Sequence, residues 1–324
     1  MSGGPATIFT RIRESCAAVC AEAQHVRIVE DHVVSYAQSL PLERLGLDGL
    51  DAGTHLLGQG EQTLVFMLAL DSINFGSGYF THLEKLPGMS GYFTVASGLK
   101  EWFEVNGPIS ATDLSSLSAE DCVGIFHQDP RNAPVVELMS MFASALRLTG
   151  NLVTTQFGGS FPALIEAAEG RASGLMEILC QIPYFVDEQE YKGRKVAFYK
   201  RAQITCADLA LAFEGQPWGT FSDIDELTSF ADNLVPHVLW VDGLLTYDPA
   251  LVERIDDGEL LAPGSEEEIE LRAAAVHGVE LIRQALAEEG IAVPSMRLDF
   301  LLWNRGQGPQ YKSLPRHRTR TVFY

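Results

Sequence analysis

At 324 residues the chain is long enough to bury a large core, either as one big domain or as two intimately packed ones. A hydrophobic content of 46% and a charged content of 20% are those of a globular protein, and the longest purely apolar run, Leu64 to Leu70, is far too short to span a membrane. The net charge of −20 opposes binding to a long phosphate polymer, because such binding rests on Lys and Arg displacing counterions. The opening Met1-Ser2-Gly3-Gly4-Pro5 lacks a basic flank and an apolar core, so it reads as a loose end rather than a secretory signal. Five scattered cysteines (Cys16, Cys20, Cys122, Cys180 and Cys206) form no CxxC pair. Neither a zinc cluster nor a disulfide framework is expected, and a reducing cytoplasm fits best.

Helical patterns open the chain at Ile8 to Ala23 and Glu30 to Ser39. Glu61 to Leu70 is apolar on nearly every face and predicts a buried helix, followed by a deep polar loop from Asp71 to Phe80. Ser90 to Lys100 is readable as helix or short strand, Ser110 to Leu114 as a helix start and Asn132 to Leu148 as a helix. Phe157-Gly158-Gly159-Ser160-Phe161 breaks the pattern before Pro162, which suits a first helical turn. Helices are then expected over Pro162 to Ala168 and Ser173 to Leu179, a turn at Lys192-Gly193-Arg194 and a strand-like Val196 to Tyr199. Ile204 to Phe213 predicts a helix, and Asp223 to Phe230 the beginning of another. The clearest helix is Glu266 to Glu288, with Ser265 and Glu268 in capping-box spacing and Ile269, Ala273, Val276, Val279, Ile282 and Leu286 as its core stripe. From Arg297 the tail reads as short extended segments. The expected fold is mainly α with a few short strands.

Basic residues are concentrated against the acidic background. Lys192 to Arg201 and Phe300 to Tyr324 together hold 10 of the 23 Lys and Arg and no acid. Two cationic islands in a polyanion-repelling chain suit one small anion, such as a monophosphate, or else are merely solvated faces. Asp232 stands among Phe230, Ala231, Leu234, Val235, Val238 and Leu239, where a carboxylate needs a partner. Lys200 is one candidate partner, and a helix cap or structural ion pair is the bland alternative. His237 is either a base near Asp232 or a hydrogen-bonded core histidine. His277 and Glu280 share a helix face, with Arg272 nearby; Glu280 could read the N–H edge of a guanine-like base or simply face solvent. In Arg316-His317-Arg318-Thr319-Arg320-Thr321 an extended backbone points the arginines one way and His317, Thr319 and Thr321 the other. Either face could hold phosphate. The apolar Val322-Phe323-Tyr324 argues that this tail docks. No Walker-type loop, GxSxG or HExxH is present, so neither a metal nor a cofactor is expected.

Several motifs together resemble one family: Leu70-Asp71-Ser72-Ile73-Asn74-Phe75, the Gly159-Ser160 turn, Phe198-Tyr199-Lys200-Arg201-Ala202-Gln203-Ile204, Phe230-Ala231-Asp232 with Val235-Pro236, Glu270-Leu271-Arg272 with Val279-Glu280-Leu281-Ile282, Arg297 to Trp303, and His317-Arg318-Thr319. In that order they resemble the queuosine salvage protein family, the queuosine 5′-phosphate N-glycosylases. The resemblance implies a helical fold similar to helix-hairpin-helix DNA glycosylases. It implies a single domain over 1–324, or two packed helical lobes with the ligand between them. The implied reaction is hydrolysis of queuosine 5′-phosphate to queuine and ribose 5-phosphate, with Lys200 and Asp232 facing the glycosidic carbon. A carboxylate there stabilises an oxocarbenium-like sugar and positions water. The expected base contacts are Asn74, Phe75, Phe198, Tyr199 and Glu280, and the expected phosphate contacts Lys200, Arg201, His317 and Thr319. Asp71, His237 and Arg272 are further candidates. A cytoplasmic monomer acting on a small molecule, with no membrane or nucleic-acid partner, is the expectation. A glycosylase for damaged DNA bases and a non-catalytic queuosine-binding or tRNA-associated module are the competing readings.

Overall fold

The computed structural model describes residues 7–46 and 49–324. The opening Met1 to Pro5, expected as a loose end, lies outside them. In chain order the elements are α1 (Ile8–Glu22), β1 (Val26–Ile28), α2 (Val33–Ser39), α3 (Glu61–Ser72), α4 (Gly91–Asn106), α5 (Ala111–Ser116), α6 (Ala119–Ile125) and α7 (Ala133–Phe157). Then come α8 (Phe161–Glu166), α9 (Ala172–Leu179), β2 (Glu188–Tyr191), β3 (Arg194–Ala197), α10 (Lys200–Ala212) and α11 (Val235–Val241). The chain closes with β4 (Leu245–Tyr247), α12 (Pro249–Asp256), α13 (Glu266–Glu288), α14 (Ser295–Arg305) and α15 (Pro309–Lys312). The fold is mainly α, as expected, with two small antiparallel sheets. Among the described residues no helix is long and apolar enough to cross a membrane. All five cysteines are free thiols.

The chain divides into two compact units. The first gathers the residues up to Gly49, Asp187–Lys200 and Asp225–Arg320. Its axis is α13, whose predicted bounds match the structure and whose stripe from Ile269 to Leu286 is buried. Ser265 caps it by accepting the Glu268 N–H at 3.3 Å, but the Glu268 side chain takes the N–H of Gly264 at 3.1 Å, one residue short of a full capping box. Helices α1, α2, α11 and α14 pack against α13, with β1 paired to β4 in the register Val26↔Tyr247. Glu270 ties β1 to α13: its fully buried carboxylate accepts the N–H groups of Gln24, His25 and Val26 and the Tyr191 hydroxyl at 2.6–3.1 Å. It lies with His25 and Glu266 in a group whose ligand-type atoms fall within 4.8 Å of one another, but the Nδ1 of His25 is already 2.6 Å from Asp248. The β2–β3 hairpin turns at Lys192-Gly193, both at positive φ (48° and 78°), which matches the predicted turn.

The second unit gathers Leu50–Val186, Arg201–Ile224 and Thr321–Tyr324. Its centre is α3, buried from Thr63 to Ser72, so the predicted all-round apolar helix continues two residues past Leu70. Ser90 settles the ambiguous Ser90 to Lys100 stretch as helix by accepting the N–H of Phe93 at 3.3 Å. Gly150 on α7 lets α5 approach: a Cβ there would lie 2.4 Å from the Ala111 carbonyl oxygen. The chain end docks as anticipated, with Tyr324 buried and its carbonyl accepting the Gly76 N–H at 2.9 Å.

Two expectations fail. Asp223 to Phe230 forms only the short 3₁₀ turn Ile224–Glu226. Asp223 caps a different helix instead, accepting the N–H groups of Ala172 and Ser173 at 2.6 and 3.1 Å at the start of α9. The tail from Arg297 is not extended at first but lies within α14. Met296, Leu298, Asp299, Leu301 and Leu302 are its buried face, a helical spacing disguised because one of its members is an acid.

Candidate active site

The first unit carries Asp232 and Lys200, and the local chain explains how each is presented. Asp232 lies in irregular backbone just before α11 and is half-buried. Its Oδ1 accepts the N–H groups of Leu234 and Val235 at 2.8 and 3.0 Å. The N-cap of α11 is Leu234, so Asp232 is not the helix cap that the sequence offered as the bland alternative; its two backbone bonds in front of the helix occupy one oxygen. Among the described residues no hydrogen bond reaches the other. Lys200 follows Tyr199, a non-glycine residue held at φ 48°. That left-handed kink turns the chain from β3 into α10 and makes Lys200 the first helical residue. The Tyr199 hydroxyl, bonded to the Arg11 guanidinium at 2.8 Å and to the Glu188 carboxylate, holds the kink in place.

Behind both residues runs a buried ion pair. Arg272 and Asp187 meet side to side, Nη1–Oδ1 at 2.9 Å and Nη2–Oδ2 at 2.5 Å, with exposures of 0% and 2%. Arg272 also donates from Nε to the Ala231 carbonyl at 3.0 Å, and Asp187 accepts the Lys200 N–H at 3.2 Å. The backbone beside Asp232 and the backbone of Lys200 thus hang from one bridge. The Phe198 ring lies 4.1 Å beneath the Arg272 guanidinium and is fully buried, so it packs the bridge.

Asp299, unremarked in the sequence except as part of a motif, supplies the strongest electrostatic feature. Its Oδ1 accepts the Ser229 hydroxyl at 2.5 Å and the Phe230 N–H at 2.8 Å. Burial, reinforced by the nearby Asp232 charge, raises its pKa to about 8, against the opposing pull of those hydrogen bonds and of Lys200. A proton-holding carboxyl therefore stands near the Asp232 carboxylate.

The tail alternates as expected: His317 and Thr319 are buried, Arg316 is exposed, and Arg318 is half-buried. It is pinned by the Leu261 N–H on the Arg318 carbonyl at 2.9 Å and by the Asn233 amide on the His317 carbonyl at 3.2 Å. Burial first, then the Arg316 charge, lowers the His317 pKa to about 3. The ring is neutral, and any phosphate contact it makes is a single N–H. His237 is the hydrogen-bonded core histidine, its Nε2 2.9 Å from the Tyr311 carbonyl and its pKa lowered by burial. Glu280 does not face solvent. Ser295 donates to it at 2.6 Å, and Arg283 and Arg13 stand at 3.0 and 3.2 Å.

The remaining candidates belong to the second unit. Arg201, 1% exposed, donates to the carbonyls of Ser72 and Tyr184 and lies 4.8 Å over both the Phe75 and Phe185 rings. Phe75 is buried in an aromatic cluster with Phe142 and Tyr184. Asp71 is buried in the last turn of α3, and Asn74, two residues beyond that helix, is half-buried. Sequence reasoning missed Asp187 and passed over Asp299. A lone acid on an apolar helix face, as in Leu298-Asp299-Phe300, was the available signal for the second.

The comparisons with known proteins bear on the family. The family profile described as Queuosine salvage protein matches residues 54–324. A Sphaerobacter thermophilus protein named queuosine 5′-phosphate N-glycosylase/hydrolase is 37% identical over 311 residues, covering 94% of this chain and 95% of that protein. Proteins of the same name from Mus musculus and Dictyostelium discoideum are 32% and 34% identical, covering 82% of this chain and 83% and 79% of their own lengths. With a match over most of its length and these relatives, the chain belongs to the queuosine salvage protein family.

Proposed function

We propose that this protein is an N-glycosyl hydrolase that releases queuine and ribose 5-phosphate from queuosine 5′-phosphate, returning the base for use in tRNA modification. The names of its relatives support the reaction. The observation that carries it is the Asp232 carboxylate, fixed through one oxygen by two backbone N–H groups and open at the other. Held so, it needs no reorganisation as positive charge develops on the sugar, and it can also position the attacking water. Lys200 and the proton-holding Asp299 complete the polar group.

Asp299, whose pKa burial raises to about 8, can hold a proton beside Asp232. A 7-deazaguanine has carbon at position 7, so protonation there, the usual aid to purine departure, is not open to it. Hydrogen bonds to the pyrimidine ring must assist instead. Of the proposed phosphate contacts, Lys200, His317 and Thr319 belong to the same unit as Asp232. A soluble monomer working on a small nucleotide, without nucleic-acid partners, completes the reading.

The test is product analysis with queuosine 5′-phosphate. Wild-type protein releases free base; Asp232→Ala loses that release by a factor on the order of 10³ while still binding the nucleotide. Absence of base release by the wild type, or undiminished release by the variant, would overturn the proposal.

A further inference from the structure

We propose that Arg316 is the anion subsite of this site and holds the phosphate monoester of the substrate. The inference rests on the hydrolase reading above and selects one arginine from the alternating segment whose two faces the sequence left open. Most cations of the two basic islands whose contacts are resolved are already engaged. Around a recess of about 250 Å³ against α1 and β3, Arg194 meets Glu22 at 2.8 Å, and Lys195 and Arg11 meet Glu188 at 3.5 and 3.8 Å. Arg305 pairs with Asp242 at 3.1 Å, and Arg318 donates to the Gly258 carbonyl. Arg316 differs, as does the exposed Lys312: among the described residues no hydrogen bond or ion pair reaches either side chain, and of the two only Arg316 presents a fork of donors.

Its position is nevertheless fixed. The next residue, His317, is buried, and its carbonyl accepts from Asn233, the immediate neighbour of Asp232. Two residues on, Arg318 bridges to Leu260. Arg316 is exposed, and its pKa is lowered by desolvation and raised by the Asp232 charge. His317 and His237 sense its charge as well, and both have depressed pKa values, so no competing imidazolium stands beside it. An uncommitted fork of donors, within electrostatic range of the carboxylate that would attend the sugar, suits a dianion attached to that sugar.

Ribose 5-phosphate titrated calorimetrically into the full chain tests this without turnover. Replacing Arg316→Gln is expected to raise its Kd on the order of 10- to 100-fold, the loss of a charged, forked hydrogen bond. Arg316→Lys is expected to restore part of the affinity, and the melting temperature of both variants to match wild type. In turnover, the preference for queuosine 5′-phosphate over queuosine should fall by a similar factor in Arg316→Gln. Equal affinity of wild type and Arg316→Gln for ribose 5-phosphate, or no binding by the wild type, overturns the proposal. Arg316-dependent binding of ribose 5-phosphate by a wild-type protein that releases no base would instead sink the hydrolase reading and leave the anion subsite standing.

Discussion

The proton on Asp299 makes a stability prediction that needs no substrate. Its pKa moves from 3.8 in an unstructured chain to about 8 in the fold, with burial as the main cause and the Asp232 charge second. Between those values the folded state holds a proton that the unfolded state has released. The stabilisation is complete below pH 4, declines as pH rises, and is lost above about pH 8. Each unit is worth about 1.4 kcal/mol, so from pH 5 to pH 7 this one group removes roughly 3 kcal/mol of folding stability. Asp299→Asn imitates the protonated form, because its amide oxygen can still accept from Ser229 and Phe230 and nothing remains to titrate. Urea unfolding of both proteins at pH 5 and pH 7 measures the difference. The variant should gain on wild type by roughly 3 kcal/mol over that interval, on top of the roughly 1.5 kcal/mol that wild type has already lost between pH 3.8 and pH 5. A wild-type-to-variant difference that stays constant with pH would refute the argument, since Asp299 would then be ionised in both states or in neither.

Further outcomes follow from other contacts. If the Asp299 proton serves the reaction, base release should fall on the alkaline side with an apparent pKa near 8, and that limb should vanish in Asp299→Asn. Arg272→Ala strands the buried Asp187 carboxylate and should cost about 3–5 kcal/mol in urea titrations. Glu270→Ala leaves the N–H groups of Gln24, His25 and Val26 unpaired and should destabilise by several times the ~1 kcal/mol of one ordinary hydrogen bond. Gly150→Ala drives a methyl to within 2.6 Å of the Ser115 nitrogen as well as into the Ala111 carbonyl, and should lower stability by about 1–3 kcal/mol or more.

Much of the helical frame was legible because periodicity and caps are local signals. The bounds of α13, the alternation of the Arg316–Thr321 tail and the docking of Tyr324 all follow from residues within a few positions of one another. What escaped was non-local. Asp223 looked like the start of its own helix, and nothing nearby in sequence announces that it caps α9, some 50 residues upstream. The bridge of Arg272 and Asp187 joins residues 85 apart, so an aromatic-basic run beside it read as a base platform, whereas Phe198 packs beneath the bridge. Glu280 and Arg201 had the right chemistry for ligand contacts, but only coordinates reveal that Ser295 and Arg283, or the carbonyls of Ser72 and Tyr184, already occupy them.

The shared suspension of Lys200 and Ala231 from the Arg272–Asp187 bridge has a kinetic consequence. A loop carried by surface contacts can open alone, and its amide protons then exchange with solvent faster than those of the core. Here the Lys200 amide is bonded to a carboxylate that is itself locked to an arginine on the central helix. To expose that amide the protein must break a bidentate pair and part α13 from its surroundings, which amounts to melting the first unit. Hydrogen exchange at Lys200 should thus report the free energy of unfolding of that unit. Heating should extinguish activity at the temperature where this core melts, with no gentler inactivation step before it.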